Sequence, residues 1–305
     1  MEHDSKPTDV SGESRVSQID LRLAELGEGF EVARALPSKQ QRLVGPWCFL
    51  DHLGPADLAA GKGLHIGAHP HTCLQTFTWM MKGEILHCDS LGYEQVIRPG
   101  QVNLMTAGRG ISHTEDSVGD AGQLHTAQLW IALPPGQEEI DPAFEHHADL
   151  PVWGLGAMTC TLLAGEHDGR CSPAKVYSDM MGVDLQANVA TRQRFELRPD
   201  FEYAVLVCEG SVALDDQPVQ SKRFAYLAPG RDHVTVSLEA SSRCLLIGGA
   251  PFTSEVHIWW NFVAPSREHI NLAFQDWQDH GPRFGEVPGA SRRLDAPRPP
   301  WMESR

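Results

Sequence analysis

The sequence predicts an all-β protein in which two similar barrels follow each other, and three features support this fold class. Gly and Pro are frequent, with 28 and 21 residues, and they separate runs of strand length. Such runs include "TFTWMMKGEILHCDS" in the first half and "FEYAVLVCEGSVALDD" in the second. Short strands at close, regular spacing are typical of sandwiches and barrels.

The third feature is an internal repeat. The stretch "MMKGEILHCDS…IRPGQVNLMTAGRG" can be aligned with "LVCEGSVALDD…KRFAYLAPGRDH": each has a strand, a Gly-centred turn, a strand, and a strand that ends in a Gly loop. The expected organisation is a disordered tail (1–17), a first barrel (18–134), a crossover (135–174), a second barrel (175–290) and a tail (291–305).

A few short helices are expected beside the strands, and one has a clear pattern near the C-terminus. In "SREHINLAFQDWQDHG", Ile270, Ala273 and Trp277 recur at helical spacing, and Ser266 precedes them as a candidate N-cap.

Composition excludes several classes of function. The 305 residues carry a formal net charge of −15, and Lys and Arg form no dense stripe, which argues against direct nucleic-acid binding. No apolar run is long enough to cross a bilayer. The opening "MEHDSKPTDVSGESR" has no secretory pattern, so a cytoplasmic protein is expected. The seven cysteines contain no close CxxC pair, which argues against a disulfide framework and a zinc ribbon.

Two pairs of polar residues at i, i+2 spacing stand out within the predicted sheets. "GAHPHTCLQT" contains His69 and His71, and "AGRGISHTED" contains His113 and Glu115. Residues at i and i+2 of a strand point to one face, so both pairs can face one barrel interior. A lone pair of this kind is more often structural than metal-binding. Two matching pairs favour one divalent metal ion, which would satisfy four buried polar groups at once.

The motifs resemble those of a known family. "HPH", "GEILHCDSLG", "IRPGQVNLMTAGRGISHTE" and "LHTAQLWIALP", with "GPWCFLDHLGP" upstream and "WWNFVAPSREHI" downstream, are similar to the pirins. That resemblance implies a bicupin, that is, two tandem cupin (jelly-roll or double-stranded β-helix) barrels, of which the first holds one metal ion. The implied ligands fall on His69, His71, His113 and Glu115.

The chain departs from the usual pirin pattern near these motifs. "TCLQT" follows the histidine pair, and "VNLMTAG" replaces a more common form with Gln-Trp, which puts the substrate in doubt more than the metal. Residues near the motifs are expected to line the pocket or to hydrogen-bond near the metal: His65, Gln75, His87, Asn103 and His125.

The second barrel is expected to lack metal ligands. Alignment of Gly83 with Gly210 places Glu196 and Arg198 opposite the first histidine pair. Alignment of Gly108 with Gly230 places Thr235 and Ser237 opposite the second pair.

The resemblance implies Fe(II) as the metal, and the donor set also suits Mn, Ni, Co, Cu or Zn. Four protein ligands leave positions open on the ion for a substrate and dioxygen. The resemblance implies the main hypothesis, a dioxygenase of the quercetin 2,3-dioxygenase type that acts on a small aromatic substrate and dioxygen. Glu115 is also the candidate base. The alternative is a non-enzymatic iron or redox sensor that contacts a protein partner, for which a nearly closed metal pocket would suffice. A monomer is expected.

Overall fold

The structure is a computed structural model that describes residues 16–26, 30–58, 63–119 and 122–302. Residues 1–15, expected to be disordered, lie outside these ranges, whereas Ser17 begins the first strand. Strands dominate the described residues, which contain one α-helix, so the all-β prediction is confirmed. No helix in the described part of the chain is long and apolar enough to span a membrane.

The strands follow each other at short intervals. The first half contains β1 (Ser17–Asp20), β2 (Arg22–Leu26), β3 (Phe30–Leu36), β4 (Trp47–Leu58), β5 (His65–His71), β6 (Leu74–Lys82), β7 (Ile85–Asp89), β8 (Glu94–Ile97), β9 (Val102–Thr106), β10 (Ile111–Ser117), β11 (Gly122–Ala132) and β12 (Ala143–His147). The second half contains β13 (Val152–Leu155), β14 (Met158–His167), β15 (Arg170–Cys171), β16 (Met180–Ala187), β17 (Thr191–Glu196), β18 (Glu202–Glu209), β19 (Val212–Leu214), β20 (Gln217–Pro218), β21 (Arg223–Leu227), β22 (His233–Leu238), β23 (Ser242–Gly249), β24 (His257–Trp259), β25 (Phe262–Ala264) and α1 (Arg267–Gln278).

The first barrel consists of a seven-stranded sheet and a four-stranded sheet. The strand orders are β12-β9-β6-β11-β4-β3-β2 and β5-β10-β7-β8. Strand β6 lies near the middle of the large sheet, and all of its residues except Lys82 are buried. Such a strand is buried on both faces, and apolar residues at adjacent positions, Trp79, Met80 and Met81, are typical of it. One face lines the barrel interior and the other packs against the second barrel.

The second barrel repeats this arrangement. Its large sheet has the order β1-β21-β18-β23-β16-β14-β13, with β15 paired to β14, and its small sheet has the order β17-β22-β19-β20. Strand β17 pairs with β22 as β5 pairs with β10. The prediction of two barrels in tandem is confirmed.

The large sheets of the two barrels pack against each other through one apolar core. Phe77, Trp79 and Leu129 from the first barrel meet Leu206 and Ile247 from the second. Burial of these large side chains, at roughly 2 kcal/mol each, holds the two barrels together.

The C-terminal segment returns to the first barrel. The bridge between Thr72 and Phe262 joins β25 to the end of β5, and helix α1 follows with Ser266 as its N-cap. Ile270, Ala273 and Trp277 are buried, so the helix prediction is confirmed. The indole N–H of Trp277 donates to the carbonyl oxygen of Leu294, which anchors the segment around Leu294 on the helix.

The strand pairing differs from the expected organisation in three places. Strand β1 pairs with β21 of the second barrel, although it falls at the start of the expected first barrel. The expected crossover contains β12, which pairs with β9, and β13 and β14, which join the second large sheet. Arg293, in the expected tail, forms a bridge with Ala68 in β5. The pairings of β1, β12 and Arg293 join residues far apart in sequence, which local patterns do not report.

Candidate metal centre

Strands β5 and β10 bring the two polar pairs together. The two strands are antiparallel, and His113 lies opposite His69. Because side chains alternate along a strand, His71 shares the face of His69. A register shift between His113 and Glu115 locally widens the ladder, and Glu115 lies opposite Ile66. All four side chains face one cavity inside the first barrel.

Two of the histidines have a fixed tautomer. The Nδ1 atom of His69 lies 2.9 Å from the carbonyl oxygen of Gly67. The Nδ1 atom of His71 lies 3.0 Å from the carbonyl oxygen of Asn261. A carbonyl oxygen only accepts hydrogen bonds, so Nδ1 carries the proton in both rings. Each Nε2 therefore presents a lone pair.

Burial keeps all three imidazoles neutral. Burial lowers the pKa of His69 to about 4, and it lowers the pKa of His71 and His113 well below the ordinary histidine value. The neighbouring histidines lower the pKa of His71 and His113 further, because a second positive charge nearby is unfavourable. Neutral imidazole is the form that binds metal ions.

Glu115 supplies the carboxylate. Its ligand oxygen belongs with His87 and His113 to a cluster whose atoms lie within 4.8 Å of one another, and His113 also belongs to the cluster of His69 and His71. Burial raises the pKa of Glu115 to about 7, and the negative charge of Asp116 adds to this. A cation in the cavity would favour the charged carboxylate.

These residues fit a metal ion. Nε2 of His71 lies 3.1 Å from Nε2 of His113. Two nitrogen ligands at right angles on an ion about 2.1 Å away would be about 3.0 Å apart. Three neutral imidazoles and a carboxylate suit first-row divalent ions.

The cavity beside the histidines has a volume of about 540 Å³ and reaches the surface near the exposed side chain of His65. This lies within the range of small-molecule pockets. Aromatic side chains line one wall: Phe49 stacks on Trp130 with ring centroids 4.0 Å apart, and Trp130 meets His71 edge-on at 5.1 Å.

A partly buried ion pair continues this wall. Arg34 donates two hydrogen bonds to the carboxylate of Asp51, of 2.7 and 2.6 Å, and its guanidinium lies 4.5 Å from the centre of the Phe49 ring. Bidentate pairing of this kind fixes both side chains. The two residues face each other across β3 and β4, 17 positions apart in sequence, and no local pattern identified them.

The C-terminal segment closes the other side of the cavity. Trp260, Asn261, Arg292 and Leu294 line it. Trp260 has a φ of 53°, a left-handed conformation that is unfavourable for a bulky residue, in the turn between β24 and β25. Sequence analysis missed these residues, because their partners are far away in sequence: Asn261 lies 190 positions from His71, and Arg292 lies 224 positions from Ala68.

A sequence model of the pirin family matches residues 29–131, and one of the pirin C-terminal cupin domain matches residues 180–285. The chain belongs to the pirin family. A Pseudomonas aeruginosa protein with the provisional name quercetin 2,3-dioxygenase is 49% identical over 290 residues, which cover 95% of this chain and 92% of the relative.

Two further relatives agree. A pirin-like protein of Caulobacter vibrioides is 40% identical over 270 residues, covering 85% of this chain and 92% of the relative. The crystal structure of a quercetin 2,3-dioxygenase from Acinetobacter baumannii superposes with a TM-score of 0.92 at 44% identity, covering 95% of this chain and 97% of that one. The resemblance to the pirins is confirmed.

Two of the expected neighbours of the site lie at it in this pirin. His65 lines the cavity and hydrogen-bonds to Asp116. His87 is buried, and its Nδ1 lies 3.3 Å from Nδ1 of His113.

Three expected pocket residues do not line the cavity. Gln75 points towards the second barrel, where its amide donates to the carbonyl oxygen of Lys175; a strand alternates its faces, so the adjacent residue has the inward position. The side chain of Asn103 hydrogen-bonds to His146 on the neighbouring strand. His125 contacts His52, and its Nδ1 lies 3.0 Å from Glu209 of the second barrel.

The second barrel has apolar residues where the first has its polar pairs, and the alignment made from sequence was wrong by one position. Val212 pairs with Leu238 as Ile85 pairs with Ser117, so the counterparts of His113 and Glu115 are Val234 and Val236. Phe195 faces Val234 as His69 faces His113, and Leu197 follows two positions later. These four counterparts are buried in an apolar core: Phe195, Leu197, Val234 and Val236. Glu196, Thr235 and Ser237 lie at alternate positions, and Arg198 pairs with Asp179 and Asp200.

Proposed function

We propose that this pirin is an iron-dependent dioxygenase that acts on flavonol-like substrates, which carry a 3-hydroxyketone group. The observation that carries the proposal is a ligand-sized cavity with three neutral imidazoles and one carboxylate on its wall. The names of the Pseudomonas and Acinetobacter relatives support the same reaction type.

His69, His71, His113 and Glu115 are the residues that would hold the ion. Fe(II) is the proposed metal, and Mn, Ni, Co, Cu and Zn are the alternatives that the same donor set accepts. When bound, the ion supplies Lewis acidity, redox capacity and a template for two neighbouring oxygen atoms of the substrate. The four ligands would leave coordination positions open towards the cavity.

The cavity residues bind and orient the substrate. The stacked rings of Phe49 and Trp130 offer an apolar face to a planar aromatic ring. Trp260 also lines the cavity, and its bulky ring would reduce the space open to water. Glu115 faces the same space and is placed to take the proton of the substrate hydroxyl.

The alternative is an iron or redox sensor that acts through protein contacts. A sensor needs no room for a substrate, whereas an open cavity of about 540 Å³ matches the requirement of an enzyme. As part of the same proposal, the protein is a monomer located in the cytoplasm.

The test is turnover of quercetin by protein reconstituted anaerobically with Fe(II) and then exposed to dioxygen. Ring cleavage consumes one dioxygen and releases one carbon monoxide, so both gases are measured. We expect turnover by the wild-type protein and none by His113→Ala. Tight iron binding without oxygen uptake would favour the sensor, and turnover by the metal-free variant would refute the mechanism.

A further inference from the structure

A buried carboxylate lies behind His113, on the side of the ring that faces away from the cavity. Asp89 ends β7, and its side chain is fully buried. One carboxylate oxygen, Oδ1, accepts hydrogen bonds from the backbone N–H groups of Leu91 and Tyr93, at 2.9 and 3.1 Å. The other oxygen, Oδ2, lies 3.1 Å from Nε2 of His87. The two backbone donors therefore fix which oxygen faces the histidine.

The chain of contacts fixes the proton positions as far as the metal site. A carboxylate accepts, so Nε2 of His87 carries the proton and its Nδ1 has a lone pair. That Nδ1 lies 3.3 Å from Nδ1 of His113, which must then donate. Nε2 of His113 is left with a lone pair, directed towards Nε2 of His71 at 3.1 Å. The tautomer of His71 leaves its own Nε2 bare, so a cation between the two nitrogens is favourable.

His87 is held in place by packing as well as by hydrogen bonds. Its ring stacks on Phe144 with centroids 4.4 Å apart and an interplanar angle of 13°. Asp89 also pairs with His113 across β7 and β10. His69 and His71 donate to neutral carbonyl oxygens. Among the three histidines, only His113 is connected by hydrogen bonds, through His87, to a buried carboxylate.

We propose that Asp89 and His87 are positioning residues that hold His113 in its metal-binding tautomer and, through the buried negative charge, strengthen its donation to the ion. The inference rests on the proposed metal site. It predicts tighter metal binding and a stabilised Fe(III) state relative to a chain without the carboxylate.

A purely structural role for Asp89 makes a different prediction. The carboxylate also organises the turn after β7, and Ala at this position would lose the turn contacts while Asn would keep them. If the turn alone mattered, Ala would be the more damaging replacement.

The proton chain reverses this ranking. In Asp89→Asn, the amide oxygen stays with the two backbone donors, so the NH₂ group faces His87 and donates to its Nε2. The proton of His87 then moves to Nδ1, where it opposes the proton on Nδ1 of His113. In Asp89→Ala, His87 can still adopt the accepting tautomer.

The experiment measures Ni(II) affinity by competition with a chelator for wild type, Asp89→Asn and Asp89→Ala. Asn is expected to weaken binding by about 10- to 100-fold, and Ala by less. The control is Asp184→Asn, which alters a buried carboxylate bonded to Trp79 and Arg243 and is expected to bind Ni(II) as the wild type does. Equal losses, a larger loss in Ala, or wild-type affinity in Asn would overturn the proposal.

Two further measurements keep the test decisive. His87→Phe retains a ring against Phe144 but accepts no hydrogen bond, so it replaces Asp89→Asn if that variant fails to fold, and a loss of at least about tenfold is expected. The Fe(III)/Fe(II) midpoint potential is expected to shift to a more positive value in Asp89→Asn, and no shift would contradict the role of the charge. If the wild type itself binds no metal, the proposed function fails. If the wild type binds metal and the variants bind it with the same affinity, only the positioning role fails.

Discussion

Glu115 is the one carboxylate among the four proposed ligands, and its charge depends on its surroundings. Burial and Asp116 raise its pKa to about 7, so the charged carboxylate is disfavoured in the cavity unless a cation is present. Three neutral imidazoles bring no charge of their own, and Glu115 therefore supplies the negative charge closest to the ion.

Glu115→Gln tests this charge with almost no change in shape. An amide oxygen is a neutral, weaker ligand, so we expect Ni(II) affinity to fall at least about tenfold and flavonol turnover to be lost. The matched control is Glu25→Gln, at the cavity lining but exposed, which should change Ni(II) affinity by less than about twofold. Wild-type affinity in Glu115→Gln, measured by chelator competition, would show that the carboxylate is not a ligand.

At the scale of residues, the same spacing that identified the proposed ligands also marks Asp89, which was not predicted. The two polar pairs were found because residues at i, i+2 share a strand face. His87 and Asp89 have the same spacing in "HCD", and this signal would have added Asp89 to the site. The pair of Arg34 and Asp51 left no such signal, because the register of β3 and β4 brings it together.

At the scale of elements, the errors came from single-residue offsets. Strand β6 is buried on both faces, so its sequence did not show which face points into the barrel, and Gln75 was assigned to the wrong side. In the second barrel, Val234 follows Gly230 by four positions, whereas its counterpart His113 follows Gly108 by five. A shift of one residue moves every side chain to the opposite face, so Thr235 was aligned instead of Val234.

Strand β5 and the C-terminal segment lie so close together that one methyl group, added at Gly67, would disturb their contact. A Cβ atom at Gly67 would lie 2.8 Å from the carbonyl oxygen of Arg292, whereas a Cβ atom at Gly154 in β13 would meet nothing within 4 Å. The backbone N–H of Ala68 donates to the same oxygen at 2.7 Å.

Gly67→Ala is therefore expected to push the segment away from β5 and to lower the free energy of unfolding by about 1–3 kcal/mol. Ni(II) affinity should also fall, because His69 is oriented by the carbonyl of Gly67. Gly154→Ala should stay within about 0.5 kcal/mol of wild type in urea unfolding. Equal stability of the two variants would show that the segment does not depend on this contact.

At the scale of the whole molecule, two buried histidines lie where the barrels meet. Nε2 of His52 is 2.7 Å from Nε2 of His125, and Glu209, 3.0 Å from His125, is also paired with Lys82. Burial lowers the pKa of His52 and of His125 to about 4, and in His52 the neighbouring His125 adds to this effect.

These lowered pKa values predict a loss of stability in mild acid. The unfolded chain binds protons at its histidines near pH 6.5, before the folded chain does, so the contribution is fully present above that pH and falls as the pH approaches 4. Between pH 7 and 5, metal-free wild type should lose about 2 kcal/mol more than His52→Gln, which lacks one of these groups. Parallel losses in urea unfolding would contradict the assignment.

The tandem barrels could be predicted from the short strand-like runs between Gly and Pro residues and from the internal repeat. The helix could be predicted from its apolar spacing and its N-cap. Three features could not be predicted, because each depends on contacts between residues far apart in sequence. They are the core between the barrels, the pairing of β1 with the second barrel, and the contact of the C-terminal segment with β5.

The most direct test of the account is the metal stoichiometry of the wild-type chain and of His113→Ala, measured by equilibrium dialysis against Ni(II) and elemental analysis. The account predicts one ion per wild-type chain, because the first barrel has the ligands and the second has Phe195, Leu197, Val234 and Val236 in their place. It predicts no retained ion in His113→Ala. A wild-type chain without metal, or a variant that keeps its ion, would contradict the central claim.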